Sequence, residues 1–206
     1  MDLSKSTEVI ASLRKRLEAE ESAQTVVDLV EGYHPAARRA SVLLGLFDRN
    51  SETHLVFIRR ARSLRAHSGE IAFPGGSAES GDISSVMTAL REAQEEIGLD
   101  PSQVEVLGVM QPVFTVVSNF LITPVVAYLP RGLGSLRLQT SEVAEIILLP
   151  LRGLANPEIA HTEEWVRDGR ARTVYFYDYD AYRIWGATAR MLNALLELLG
   201  PGPNDG

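Results

Sequence analysis

At 206 residues, with 45% hydrophobic and 23% charged residues, the chain has the make-up of one well-buried globular domain, and disorder is not its default. Lys and Arg total 20 against 27 Asp and Glu, a net charge of −7 that argues against a nucleic-acid partner, which wants a basic stripe. The absence of cysteine excludes disulfides, thiolate metal sites and Cys nucleophiles together.

In chain order, "SKSTEVIASLRKRLEAEESA" reads as an amphipathic helix with Val9, Ile10, Leu13 and Leu17 on one stripe. Such a stripe suits a homodimer contact and packing on its own domain equally. The first thirty residues have no continuous apolar h-region, and no apolar run approaches about 18 residues. Neither a signal peptide nor a membrane span is expected, and a cytoplasmic setting fits. "ASVLLGLFD" and "HLVFIRR" read as two strands joined through the turn formers of "DRNSET". "EIAF" is a short strand that stops at Pro74-Gly75-Gly76. A helix follows from about Asp82, then the β-rich runs "VEVLGVMQPVF", "NFLITPVVAYLP" and "EVAEIILLPL", the aromatic strand "RTVYFYDY", and a closing helix "GATARMLNALLELLG". Several strands around one central helix predict an α/β fold with a mixed sheet rather than a doubly wound dinucleotide-binding domain. Neither a G-x-G-x-x-G nor a G-x-x-x-x-G-K-[ST] pattern occurs. The expected organisation is an N-terminal helical extension over 1–35, one domain over 36–199 and a tail over 200–206.

The central helix, "DISSVMTALREAQEEIG", carries the chemistry. Asp82, Ser84 and Ser85 are candidate N-caps, and Gly98 stands where a C′ glycine ends a helix. At about 100° per residue, Val86, Ala89, Leu90, Ala93 and Ile97 share one face. Relative to Glu92, Glu96 lies at about +40° and Glu95 at about −60°, so these three acids share another. That crowding is locally unfavourable. Glu92 and Glu96 form an i,i+4 like-charge pair costing roughly 0.2–0.5 kcal/mol, and Glu95 and Glu96 face the negative end of the helix dipole. Arg91 offsets part of the repulsion; a divalent cation held by oxygen ligands and shared with substrate phosphates would offset the rest. The competing reading is a solvated Glu-rich face, since Glu is a good helix former.

"REAQEEIGL" resembles the second half of the Nudix box, R-E-U-x-E-E-x-G-U with U aliphatic; Arg91, Glu92, Ala93, Glu95, Glu96, Gly98 and Leu99 fill its specified places. The first half, G-x5-E-x7-R, is met with two departures: counted from Gly76, its acidic position falls on Asp82, and eight residues then precede Arg91. Upstream, "LVFIRRARSLRAHSGEIAFPGG" resembles the signature of coenzyme A pyrophosphatases within the Nudix superfamily, L-L-T-x-R-S-A-x3-R-x3-G-x3-F-P-G-G. Arg59, Ala61, Arg65, Gly69, Phe73, Pro74, Gly75 and Gly76 match in register, while Val56, Phe57 and Arg60 replace its second Leu, its Thr and its Ser. "SNFLITPVVAYL" and "IWGATARML" are similar to that subfamily as well, so the resemblance runs from about Arg39 to Leu199.

The resemblance implies a Nudix-type α/β/α sandwich with the box helix beside a mixed sheet, to which the N-terminal helix is an addition. It implies hydrolysis, with Mg²⁺ or Mn²⁺, of the diphosphate bridge of coenzyme A or its thioesters to 3′,5′-ADP and 4′-phosphopantetheine or its acyl form. Carried over residue by residue, Glu92 and Glu96 are the principal metal ligands and Glu95 a further one, directly or through water. Arg91 orients the glutamates or makes an ordinary helix ion pair. Gly75 and Gly76 let backbone approach a phosphate or simply turn sharply. Of the loop acids Glu142 and Glu145, Glu142 is the expected general base. Arg59 and Arg65, with Gly69, are the expected substrate contacts, toward the 3′-phosphate or the bridge; the alternative ties these arginines to the acidic helix. His67 is expected to be structural. Two other functions stay open: Nudix hydrolysis of ADP-ribose or another nucleoside diphosphate derivative, and a Nudix module that binds a nucleotide without catalysis. Such a module could take RNA in place of a nucleotide, against which the net charge of −7 counts; the expected partner is a small molecule, with no nucleic acid and no membrane.

Overall fold

The computed structural model describes residues 2–17, 36–62, 68–167 and 169–200. Arg65 and His67 lie outside them. The N-terminal helix, α1 (Ser6–Arg16), buries Val9, Ile10 and Leu13. Its stripe packs on its own domain, in the same core as Leu192 and Leu195 of the closing helix. The two helices are also tied at their ends: Arg16 Nη1 donates to the carbonyls of Leu198 and Gly200 at 2.7 and 2.8 Å, meeting acceptors that the last helical turn leaves without partners.

Strands β1 (Arg38–Arg49) and β2 (Glu52–Arg60) form a hairpin. Its turn residues Asn50 and Ser51 have φ of 53° and 62°, the left-handed values that a two-residue primed turn requires. Then come β3 (Ile71–Ala72), β4 (Gly75–Ser77), helix α2 (Ser85–Ile97), β5 (Glu105–Val109), β6 (Val113–Thr115), β7 (Phe120–Leu129) and β8 (Val143–Pro150). After a short helix, α3 (Leu151–Leu154), the strands β9 (Ala160–Arg167), β10 (Arg170–Tyr179) and β11 (Tyr182–Trp185) lead into α4 (Gly186–Leu199).

β1 is the axis of a mixed sheet. One edge runs parallel to β7, from Arg38 opposite Phe120 to Phe47 opposite Leu129. The other edge is shared: β4 pairs antiparallel with Ala40–Val42, and β2 with Leu46–Arg49. β8 continues beyond β2, while β5 and β6 flank β7. Side chains alternate between the two faces. Leu43, Phe47, Val56, Ile58 and Val125 pack under Ala89, Ala93 and Ile97 of α2. Leu44, Leu46, Leu55, Phe57 and Val126 pack on the opposite face against α1, α4 and the tyrosine face of the β9–β11 sheet. This is the α/β fold with a mixed sheet that the pattern of elements predicts and the α/β/α sandwich that the resemblance implies, and each buried Leu, Val or Phe contributes about 1.5–3 kcal/mol to it.

Two features correct the sequence reading. Gly75 and Gly76, read as a turn, form β4 and pair with β1. β9, exposed along its whole length, was invisible to an alternation argument because it presents no buried face.

Candidate active site

The box helix is placed by local chemistry at both ends. The Ser84 hydroxyl accepts the Met87 N–H at 3.1 Å, and Gly98 closes the helix in the left-handed conformation at φ 69°. Small residues then matter. Ala89 and Ala93 let α2 lie close over β1, and the adjacent helix face brings Glu92 and Glu96 onto Gly75 and Gly76. A Cβ on Gly76 would stand 2.5 Å from the Glu92 carboxyl carbon. Gly75, at φ +153°, has no room either, since its Cβ would fall on the Ser41 carbonyl and 2.6 Å from Val42 Cα.

Glu96 is 2% exposed. Its Oε2 accepts the Gly75 N–H at 2.9 Å, and its Oε1 stands 3.7 Å from Nη1 of Arg60. Burial raises this carboxyl to about 7; the charges of Glu92 and Glu142 push the same way, against Gly75 and Arg60. Glu92, one turn earlier, is also raised, chiefly by burial, with Glu95 and Glu142 adding to it and Arg91 opposing. Glu142 lies just ahead of β8, and its carbonyl accepts the Ala61 N–H at 2.7 Å. Its charge therefore acts on both Glu92 and Glu96 from a loop anchored beside Arg60.

Arg91 is the hub on the other side. Nη2 donates to the Ser77 carbonyl at 2.9 Å, to Asp82 at 2.9 Å and to Glu92 at 3.2 Å, while Nη1 donates to Glu95 at 3.0 Å. Glu95 is 58% exposed and turned toward this partner. Asp82 does not cap α2. It accepts from Arg91, from Thr88 Oγ1 at 3.0 Å and from the Glu79 N–H at 3.0 Å, and the Arg91 contact above all holds its carboxyl down at about 2. Asp82 thus fastens the loop before α2 to the helix.

The two adjacent arginines of β2 point to opposite faces. Arg59 lies across from Glu145 in register; its Nε donates to Glu145 Oε2 at 2.9 Å, and the Tyr182 hydroxyl donates to Oε1 at 2.9 Å. This contact with Arg59, first of all, lowers the Glu145 carboxyl. Glu145 is therefore a strand residue engaged away from α2, not a loop acid. Arg60 projects toward Glu96, and the sequence reading had passed over it as a replacement for Ser. Strand alternation at "IRR" was the signal that could have separated the pair. Gly69, at φ +74°, donates its N–H to the Arg60 carbonyl at 3.1 Å and turns the chain back toward β3. A cleft of about 490 Å³ opens beside the start of α2, lined by Arg39, Ser41, Asp82, Ser84, Thr88 and Thr123; it borders Asp82 and not Glu92 or Glu96.

Among the described residues, no three His, Asp or Glu side chains close on one point as a finished metal cage. A hard cation such as Mg²⁺ does not need one, since it is commonly held by one or two carboxylates with water and substrate phosphates completing its shell. Glu92 and Glu96, all-oxygen donors raised by burial and by neighbouring negative charge, fit that chemistry.

The NUDIX domain pattern matches residues 37–168. An uncharacterised Nudix hydrolase NudL of Photorhabdus laumondii is 40% identical over 160 residues, which cover 78% of this chain and 84% of that protein. A NudL of Salmonella paratyphi B is 38% identical over 166 residues, 81% of this chain and 85% of its own length. A Nudix hydrolase structure from Alicyclobacillus acidocaldarius is similar at a TM-score of 0.47 and 19% identity, covering 78% of this chain and 91% of that one. By the matched span and by these relatives, the chain belongs to the Nudix hydrolase family.

Proposed function

We propose that this Nudix hydrolase cleaves the diphosphate bridge of coenzyme A and its acyl thioesters, giving 3′,5′-ADP and 4′-phosphopantetheine or its acyl form. The observation that carries the substrate reading is the sequence register of "RRARSLRAHSGEIAFPGG", whose closing glycines lie against Glu92 and Glu96. The relatives named NudL support the Nudix hydrolase part of this reading.

Hydrolysis adds water across one P–O–P linkage. One phosphorus gains the water oxygen, the bridging oxygen leaves with the other phosphate, and a proton must be taken from the water. Glu142 is the proposed acceptor of that proton. Glu92 and Glu96 would hold Mg²⁺ or Mn²⁺, with Glu95 reaching it through water once released from Arg91. The ion supplies charge neutralisation at the phosphate oxygens and a more acidic water. Arg91 fixes the Glu92 carboxylate by its hydrogen bond. Arg65 is proposed for the 3′-phosphate, while Arg59 would serve the same group only by exchanging Glu145 for substrate. Gly75 and Gly76 keep the approach free of side chains. The fitting setting is the cytoplasm, where coenzyme A and divalent cations are both available, and no helix among the described residues is long and apolar enough to cross a membrane.

Incubation with coenzyme A or ADP-ribose, each with Mg²⁺ or Mn²⁺, and mass identification of the products tests this. Formation of 3′,5′-ADP and 4′-phosphopantetheine with ADP-ribose untouched is expected. Cleavage of ADP-ribose alone would show the substrate reading to be wrong.

A further inference from the structure

We propose that Arg60 grips a non-bridging oxygen of the substrate's diphosphate beside the carboxylate pair. This rests on the diphosphate part of the functional reading and not on coenzyme A. Arg60 stands where the signature that this segment resembles has a serine, so its side chain is a departure that needs a reason. The backbone sets its direction: the Arg60 N–H donates to the Glu70 carbonyl at 2.9 Å, its own carbonyl accepts from Gly69 at 3.1 Å, and the pairing of β2 with β8 shifts register between Arg59 and Arg60. Irregularities of this kind re-aim a side chain at the edge of a site.

What Arg60 meets there is incomplete. Its Nε is shut off from solvent and has no hydrogen-bond partner among the described residues. A buried donor left in that condition costs about 1–3 kcal/mol. Its Nη1 lies 3.7 Å from Glu96 Oε1, close enough to feel the charge and too far for a hydrogen bond. Were Arg60 only the counter-ion of Glu96, the two would be expected to close into a short, charge-assisted contact of about 2.7–2.9 Å. The side chain as a whole is 27% exposed, so part of it can be reached from outside the fold. A cation with an unsatisfied buried donor, held open beside the acid pair, calls for an anionic oxygen that arrives with the ligand. The planar guanidinium favours a phosphoryl group, which it can contact through two nitrogens at once.

The probe is inorganic pyrophosphate, which carries the diphosphate and nothing else. Calorimetric titration of wild type, Arg60→Ser and Arg60→Lys, in Mn²⁺ buffer, is expected to show binding weakened about tenfold to hundredfold in Arg60→Ser. Partial recovery is expected in Arg60→Lys, which restores charge without the fork. Mn²⁺ affinity, read separately by electron paramagnetic resonance, should be unchanged or tighter in Arg60→Ser, because a competing cation has gone. Three results would overturn the proposal: equal pyrophosphate binding by wild type and Arg60→Ser, no pyrophosphate binding by wild type, or parallel weakening of pyrophosphate and Mn²⁺ with a lower melting temperature. The last would make Arg60 a support for Glu96. Pyrophosphate binding that depends on Arg60 in a protein unable to cleave coenzyme A would leave the proposal standing and remove only the coenzyme reading.

Discussion

Glu96→Gln is expected to lower turnover by about a thousandfold or more and, at the same time, to make the metal-free protein more stable at pH 8. The first effect follows from losing a carboxylate that would help hold the cation, which supplies several kcal/mol of charge stabilisation. The second follows from the buried carboxyl itself. Folding raises it from 4.5 to about 7, so the folded state binds its proton more tightly than the unfolded state. That preference stabilises the fold fully below pH 4.5 and is lost as pH rises through about 7. Without metal, wild type therefore buries an ill-compensated charge at pH 8, and glutamine removes it while its amide oxygen can still accept the Gly75 N–H. The gain is bounded at about 3 kcal/mol. Thermal melts in EDTA at pH 5 and pH 8 measure it: the variant should melt above wild type at pH 8, with the gap narrowing at pH 5. A variant less stable than wild type at pH 8, or one retaining wild-type turnover, would contradict the account.

Two alanine substitutions, one residue apart, should fail differently. Gly75→Ala places a methyl group on the Ser41 carbonyl and Val42 Cα at a φ of +153° that side chains rarely adopt. Backbone has no cheap way to yield, and strain with overpacking should cost about 3–5 kcal/mol. For a domain of this size the melting temperature should fall by about 10 °C. Gly76→Ala instead meets the end of the Glu92 side chain, which can swing away. That variant should keep most of its stability and lose activity, because the carboxylate has been displaced. Similar stability losses in both, or full activity in Gly76→Ala, would show that the glycines are not what seats Glu92.

The box helix was legible because its signals are local. Ser84, Gly98 and a 100° apolar stripe act within a few turns, and all three are met in the structure. The β1–β2 hairpin was legible for the same reason, through a two-residue turn between apolar strands. What the sequence hid depends on distant partners. β4 is a strand only because β1 accepts it, and Pro-Gly-Gly alone reads as a turn. β9 carries no buried face to produce alternation. Asp82 was a fair N-cap candidate by position; Arg91, nine residues on, takes it instead. The acidic face of α2 was visible as three glutamates. Its division into a buried acid, Glu96, a partly buried one, Glu92, and an exposed one, Glu95, paired with Arg91 required the neighbouring strand and loop.

That division is the central claim, and Mn²⁺ affinity measured by electron paramagnetic resonance in wild type, Glu92→Gln, Glu95→Gln and Glu96→Gln tests it most directly. If Glu92 and Glu96 are the protein's direct ligands and Glu95 reaches the ion only through water, the first two variants should bind Mn²⁺ at least about tenfold more weakly, while Glu95→Gln, whose carboxylate lies against Arg91, loses less than either. Equal weakening in Glu95→Gln, or unchanged affinity in Glu96→Gln, would contradict it.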